Sequence, residues 1–328
     1  MIIVKTPLRM SYVGGGSDLP SYYREHGGAV ISTAVQKYIY IMVKSRFEEG
    51  IRLSYSKTEN VTDASAVEHP LVRNAIKLLE INDNLEIVSM ADIPSTGSGM
   101  GSSSTFSVGL LKGLYAFQGR TVPTQKLAEL ACHLEINMCY NPIGKQDQYA
   151  AAFGGLRVYK FNSDDSVSQE PVLCNQHTIS ELNDQTLAFH IGGNRNANEI
   201  LREQSISLSD RDKAKNMSKM VDLVWDLKCE LELQSTVNFG AILHENWMLK
   251  REISRGITNH YIDDLYQTAI GAGATGGKLL GAGAGGFMIF HAPNNDVKSR
   301  ILKRFFKLRQ VHLPIETSGS TLIFNQES

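Results

Sequence analysis

Cysteine is scarce in this chain: four in 328 residues, Cys132, Cys139, Cys174 and Cys229, with no C-x-x-C pair among them. The nine histidines are scattered without metal-ligand spacing. Together these argue against a disulfide-stapled scaffold and against a zinc site, leaving buried thiols in a reducing compartment as the expectation. No apolar run approaches ~18 residues, so no membrane span is expected. The opening MIIVKTPLRMSYVGGG lacks the apolar stretch and cleavage site of a signal peptide, and a cytoplasmic protein is therefore expected. A surplus of one charge is missing too: 33 Lys and Arg against 34 Asp and Glu leave a formal net charge of −1. That offers no cationic excess for nucleic-acid phosphates. Proline is sparse at nine, whereas glycine reaches 28, so the backbone turns tightly or approaches something closely at many points. Hydrophobic residues at 42% and charged residues at 20% fit packed cores rather than disorder. At roughly 100–200 residues per domain, the length suggests two domains or one large one.

Strand-like runs come first: IIVK (2–5), AVISTAV (29–35), YIYIMVK (38–44) and IRLSYS (51–56), rich in β-branched and aromatic residues. A helix is expected from Pro70 to Ile81, with Leu71, Ala75, Leu78 and Leu79 at helical spacing. LEIVSMA (85–91) reads as strand, and a long helix opens near Ser102. A second helix starts at the cap Thr124, carries Leu127, Leu130, Ala131 and Leu134 on one face, and has Pro142 to end it. LRVYKF (156–161) is strand-like. The composition shifts at NSDDS (162–166), and the second half is mainly helical from Asn196 to about Ala269, with Met220, Val224, Leu227 and Leu231 on one stripe. A helix from about Asp296 to Arg309 and two terminal strands close the chain. The order implies two α+β domains, divided at 1–175 and 176–328.

Three glycine-rich stretches remain: Gly14-Gly15-Gly16-Ser17-Asp18, the run from Pro94 to Ser104, and Gly281-Ala282-Gly283-Ala284-Gly285-Gly286. The middle one follows a strand and precedes the apolar-periodic Phe106, Leu110, Leu111, Leu114 and Phe117, so its glycines sit where a helix begins. Unpaired amides and the partial positive charge of a helix start make that a natural phosphate site. Walker A is excluded, because neither Lys145 nor Lys278 has the required upstream spacing or a following Ser or Thr. G-x-G-x-x-G occurs at Gly271/Gly273/Gly276 and at Gly281/Gly283/Gly286. The second leads into GFMIFHA, a strand, and neither opens an N-terminal βαβ unit, so a dinucleotide fold is not expected.

Taken in order, TPLRMSYVGGGSD, PSTGSGMGSSS and KLLGAGAGGF resemble the three motifs of the GHMP small-molecule kinases, and the resemblance spans essentially the whole chain. GGGSDLPSYY, NPIGKQDQYAAAFGG and GATGGKLLGAG are similar to the D-glycero-D-manno-heptose 7-phosphate kinases within that superfamily. Ala284 departs from the third motif, which more often has Gly there. The resemblance implies an N-terminal domain like ribosomal protein S5 domain 2, a ferredoxin-like C-terminal domain, and ATP, Mg2+ and a sugar phosphate in the cleft between them. It further implies phosphorylation of an anomeric hydroxyl on the way to nucleotide-activated heptose for surface polysaccharide. A homodimer is compatible with it.

Residue by residue, the resemblance places the nucleotide phosphates on Pro94, Thr96, Gly97, Ser98, Gly99, Met100, Gly101, Ser102 and Ser103, with Ser103 and Glu135 toward Mg2+. Asp147 matches the catalytic Asp that would accept the hydroxyl proton, and Arg9 the arginine that would hold Asp147 ionised and offset charge on the transferring group. Lys145 is a second candidate for that electrostatic role. Sugar contacts are expected from Gly15, Gly16, Ser17, Asp18 and Gly283. Arg195, a cation at an expected helix start, is the candidate partner for the substrate's 7-phosphate or the transferred phosphate. A kinase for another sugar such as L-fucose, and a non-catalytic sugar sensor on the same fold, remain the alternatives. The sensor is the weaker one, because Arg9, Ser103, Glu135 and Asp147 are all present.

Overall fold

Two long strands organise the first half of the chain. β1 (Ile2–Val13) and β2 (Gly28–Ser45), joined through helix α1 (Pro20–His26), pair antiparallel from Ile2↔Val43 to Val13↔Ile31. The expected break between 35 and 38 does not occur. Instead the register shifts between Pro7 and Leu8, opposite that point, where proline lacks an N–H and a bulge lets one continuous strand bend. β3 (Ile51–Ser54), β4 (Thr58–Val61), α2 (Pro70–Leu78) and β5 (Leu85–Ala91) follow. β5 pairs with Ile39–Ser45 of β2 and runs parallel to β3. α3 (Ser102–Phe117), α4 (Thr124–Cys132) and α5 (Gln146–Phe153) come next, and α3 and α5 pack on β1 and β2. β6 (Leu156–Phe161) then takes Gly28–Thr33 of β2 and carries β7 (Val167–Pro171). The structure, a computed structural model, describes residues 1–82, 84–94, 97–193 and 197–326.

The second half contains α6 (Gln176–Gln185), β8 (Thr186–Gly192), α7 (Ala197–Ser207), α8 (Arg211–Glu232), α9 (Phe239–Arg251), α10 (His260–Gly271), β9 (Gly276–Leu279), β10 (Gly286–His291), α11 (Asn295–Arg304) and β11 (Arg309–Val311). Its four strands form an antiparallel sheet in the order β11-β8-β10-β9. The last two strands, β12 (Ile315–Glu316) and β13 (Thr321–Asn325), return to the first sheet and pair with β2 and β1. The end of the expected second domain thus completes the first. Among the described residues no helix is long and apolar enough to cross a membrane.

α8 bolts the halves together. Asp210 caps it, its carboxylate accepting from the amides of Asp212 and Lys213. Its buried stripe is divided: Met217 and Met220 belong to the core under the second sheet, whereas Val224, Leu227 and Leu231 belong to the core under the first. Each such side chain contributes roughly 1.5–3 kcal/mol when fully buried, so the stripe resists separation of the two units.

Candidate active site

The chain enters α3 without a side-chain cap. Gly101, the residue before the helix, is left-handed at φ 72° and ψ 28°, and no side chain closes the end. The first amides of α3 therefore face outward with the positive end of the helix dipole behind them. A Cβ at Gly101 would sit 3.0 Å from Asp147 Oδ2 and 3.2 Å from Arg9 Cγ, so both backbone angle and space demand glycine. Within the loop, the hydroxyls of Ser98 and Ser102 bond each other at 2.9 Å, and the Met100 amide donates to Ser98 Oγ at 3.3 Å. The third glycine-rich segment lies directly against this loop: a Cβ on Gly281 would fall 2.6 Å from Gly99 Cα.

Arg9 and Asp147 form the centre. Arg9, 4% exposed on β1, donates through Nε and Nη2 to the two Asp147 oxygens, each at 2.7 Å, and through Nη1 to the Gly99 carbonyl at 2.6 Å. One guanidinium thus ties the carboxylate to the glycine-rich loop. Such a bidentate pair fixes the plane of the carboxylate.

Glu135 lies behind Ser103 rather than on a surface. The α4 segment does not continue as a regular helix to Pro142; it widens into a π-helical turn over His133–Met138, with the Cys139 amide donating to Leu134 O. That turn carries Glu135 fully inside, where Oε2 accepts from Ser103 Oγ at 2.8 Å and Oε1 from Gln148 Nε2 at 2.8 Å. Burial, aided by the charge of Asp147, pushes the Glu135 carboxyl up to about 7. A buried carboxylate with a serine hydroxyl at its mouth offers the hard oxygens that Mg2+ prefers, and a divalent cation would relieve the burial of its charge. The donor set therefore fits Mg2+.

Opposite the loop, Asp18 is 3% exposed and accepts from the Gly16 and Gln146 amides and from Gln146 Nε2, each at 3.1 Å. Burial and the neighbouring Asp147 raise its pKa. Lys250, on α9, reaches between the glycine-rich segments and donates to Gly15 O at 3.2 Å and Gly281 O at 3.1 Å. Burial, with Arg9 adding to it against Asp18 and Asp147, brings its ammonium down to about 8. A cavity of about 780 Å3 joins Arg9, Asp18, Asp147, Lys250, Glu135 and the 97–104 loop. A second, of about 450 Å3, is lined by Ile39, Tyr55, His69 and Phe106 and shares Ser102 and Ser103 with the first.

The structure thus brings together Arg9, Asp147, Asp18, Gly15, Gly16, Gly97, Ser98, Gly99, Gly101, Ser102, Ser103 and Glu135. Other expected residues stand elsewhere. Lys145 is withdrawn: its ammonium donates to the Asp165 carbonyl at 2.7 Å and lies over the Tyr23 ring at 4.8 Å. The Ser17 hydroxyl is consumed by Ala29, donating to its carbonyl at 2.8 Å and accepting from its amide at 3.1 Å. Gly283 packs on the Ile257 backbone, 2.7 Å from a built Cβ to Cα, and lines neither cavity, although the adjacent Ala282 does. The Met100 side chain is in the core, and Pro94 is exposed outside both cavities. Thr96 and Arg195 lie outside the described residues. Lys250 was not anticipated; its only sequence signal is a polar residue, like Asn246, on the apolar stripe of Phe239 and Leu243.

Comparison with known proteins agrees with this geometry. The family model for the GHMP kinases N terminal domain matches residues 70–155 and that for the GHMP kinases C terminal matches residues 228–308. The chain belongs to the GHMP kinases and is a phosphotransferase of that family. It is 29% identical over 304 residues to the D-glycero-alpha-D-manno-heptose 7-phosphate kinase of Campylobacter jejuni, covering 88% of each chain. It is 25% identical to the bifunctional fucokinase/GDP-fucose pyrophosphorylase of Arabidopsis thaliana, where the match takes in 92% of this chain but 31% of that one. The crystal structure of a D-glycero-D-manno-heptose 1-phosphate kinase from Bacteriodes thetaiotaomicron superposes with a TM-score of 0.82 at 22% identity over 100% of both chains, which shows the shared fold.

Proposed function

We propose that the protein transfers the γ-phosphoryl group of ATP to the anomeric C1 hydroxyl of D-glycero-D-manno-heptose 7-phosphate, in the cytoplasm, giving the 1,7-bisphosphate. The observation that carries a phosphoryl transfer is the Arg9 bridge, which holds the Asp147 carboxylate beside the open amides of α3. The acceptor oxygen attacks the γ-phosphorus, the bond from that phosphorus to the β–γ bridging oxygen breaks, ADP leaves, and the hydroxyl proton passes to Asp147. The amides of residues 101–103 bind phosphate oxygens, and Arg9 with Lys250 offsets the charge spread over the transferring group. The smaller cavity, where His69 stacks on Phe106 with centroids 5.0 Å apart, receives the nucleobase. Ser103 and Glu135 would hold Mg2+, which when bound neutralises phosphate charge. The choice of heptose is supported by the Campylobacter jejuni relative, and the role in supplying activated heptose for surface polysaccharide rests on the resemblance of the sequence motifs alone.

A second reading, a kinase for an unphosphorylated sugar such as L-fucose, is favoured by one feature. Among the described residues lining the larger cavity, the only Lys or Arg are Lys250 and Arg9, both close to Asp147 rather than at the far end. The deciding experiment offers ATP with a panel of sugars and sugar phosphates and reads product regiochemistry by 1H and 31P NMR. Consumption of the heptose phosphate with a new phosphate at C1 is the expected result. Turnover of fucose alone would establish the second reading, and ATP consumption with no sugar in the panel would overturn both.

A further inference from the structure

One buried group in the larger cavity has no function in the steps above. Gln204, on α7, is 0% exposed, yet neither its Oε1 nor its Nε2 has a hydrogen-bond partner among the described residues. α7 presents Ala197, Asn198, Leu201 and Gln204 to the cavity, of which Ala197, Leu201 and Gln204 form an i, i+4, i+7 stripe on one face of the helix. Gln204 ends that stripe, about 10 Å along the helix from Ala197. Its amide occupies the space beside Gly16, where a built Cβ would lie 2.2 Å from Gln204 Nε2. Gly16 in turn donates its amide to Asp18, so the carboxamide borders the carboxylate on the acceptor side of the cavity. A further unpartnered amide oxygen, Oε1 of Gln146, belongs to the same wall.

An unsatisfied buried carboxamide lowers stability unless something arrives to bond it, because its desolvation is not offset. A residue kept only for packing would be apolar here, like its neighbour Met217. We propose that Gln204 is a specificity-determining residue that hydrogen-bonds a hydroxyl of the acceptor sugar remote from the reacting one, selecting polyhydroxylated acceptors over deoxy analogues. A carboxamide suits this because it donates through Nε2 and accepts through Oε1, as a sugar hydroxyl requires. The assignment rests on the kinase reading for its substrate class.

The test uses the full chain with Gln204→Leu and, as a second packing variant, Gln204→Met. On whichever sugar the parent phosphorylates, both variants are expected to lose at least tenfold in kcat/KM, chiefly through KM for the sugar, with KM for ATP within threefold of the parent. A series of monodeoxy forms of that sugar should contain one whose penalty in the parent disappears in the variants, which marks the hydroxyl that Gln204 meets. The ligand-free melting temperature of both variants should equal or exceed the parent's, because a buried unsatisfied polar group has been removed. Unchanged KM for the sugar, or melting temperatures more than 3 °C below the parent's in both variants, would overturn the assignment. The melting arm needs no substrate, so a parent that phosphorylates no sugar would reject the kinase reading while this arm still judges Gln204.

Discussion

The two ends of the cavity are built in opposite ways. At the phosphate end, Ser98, Ser102, Ser103 and Glu135 satisfy one another before any ligand arrives, and the remaining binding groups are backbone amides of one short segment. At the acceptor end, Asp18, Gln146, Gln204 and Lys250 come from four distant stretches, and carboxamide atoms of Gln146 and Gln204 stay unpartnered. Each unsatisfied buried group costs about 1–3 kcal/mol in the free protein. On the proposed kinase reading, the serine hydroxyls of the first end are preorganised for the nucleotide phosphates, whereas the second end holds polar side chains that an acceptor would complete.

Breaking the junction between the ends should have the largest effect. Asp147→Asn is expected to reduce kcat ~10³-fold, within the range for removing a general base. Its nucleotide affinity by calorimetry should stay within threefold; loss of both would show that Asp147 serves the phosphate end instead. Next comes Lys250, whose ammonium spans the ends. It titrates near 8 in the folded chain and near 10.5 when unfolded, so between these values the folded state binds fewer protons and stability rises with pH. The associated destabilisation is on the order of 3 kcal/mol, full below pH 8 and gone above 10.5. Urea unfolding of parent and Lys250→Met from pH 7.5 to 9.5 should show stability climbing more steeply in the parent, and parallel curves would refute the burial of its charge.

Gly101→Ala sharpens the phosphate side. A side chain at φ 72° costs about 1–3 kcal/mol and presses on Arg9 and Asp147, so melting temperature and kcat should both fall. Glu135→Gln should weaken apparent Mg2+ affinity ~10–100-fold in activity titrations, with sugar KM unmoved. The smallest effect belongs to Ala284, whose φ of 62° is left-handed and whose amide donates to Ile257 O at 3.0 Å. Ala284→Gly should raise stability by up to ~1 kcal/mol in chemical denaturation, because glycine reaches that angle without strain.

The same contrast explains what could be read from the chain beforehand. LEIVSMA and LRVYKF coincide with β5 and β6, and α3 begins at Ser102 as the glycine loop suggested, because each depends on neighbours in sequence. The strand after Gly281/Gly283/Gly286, now β10, likewise followed from GFMIFHA. What depended on distant partners was not legible. The π turn that buries Glu135, the return of β12 and β13 to the first sheet, and the capture of Lys145 by Asp165 all arise from tertiary contacts. So does the loss of Ser17 to Ala29, since a serine after a glycine turn reads the same whether it faces a ligand or a strand. Gln204 and Lys250 gave only the weak signal of polar residues on apolar helix stripes.

The most direct measurement is a crystal structure of the protein with a non-hydrolysable ATP analogue, Mg2+ and the sugar it phosphorylates. The account requires the γ-phosphate against the amides at the start of α3 and the acceptor hydroxyl within hydrogen-bond distance of Asp147. A triphosphate seated away from residues 97–103, or an Asp147 carboxylate facing solvent with the sugar elsewhere, would contradict it.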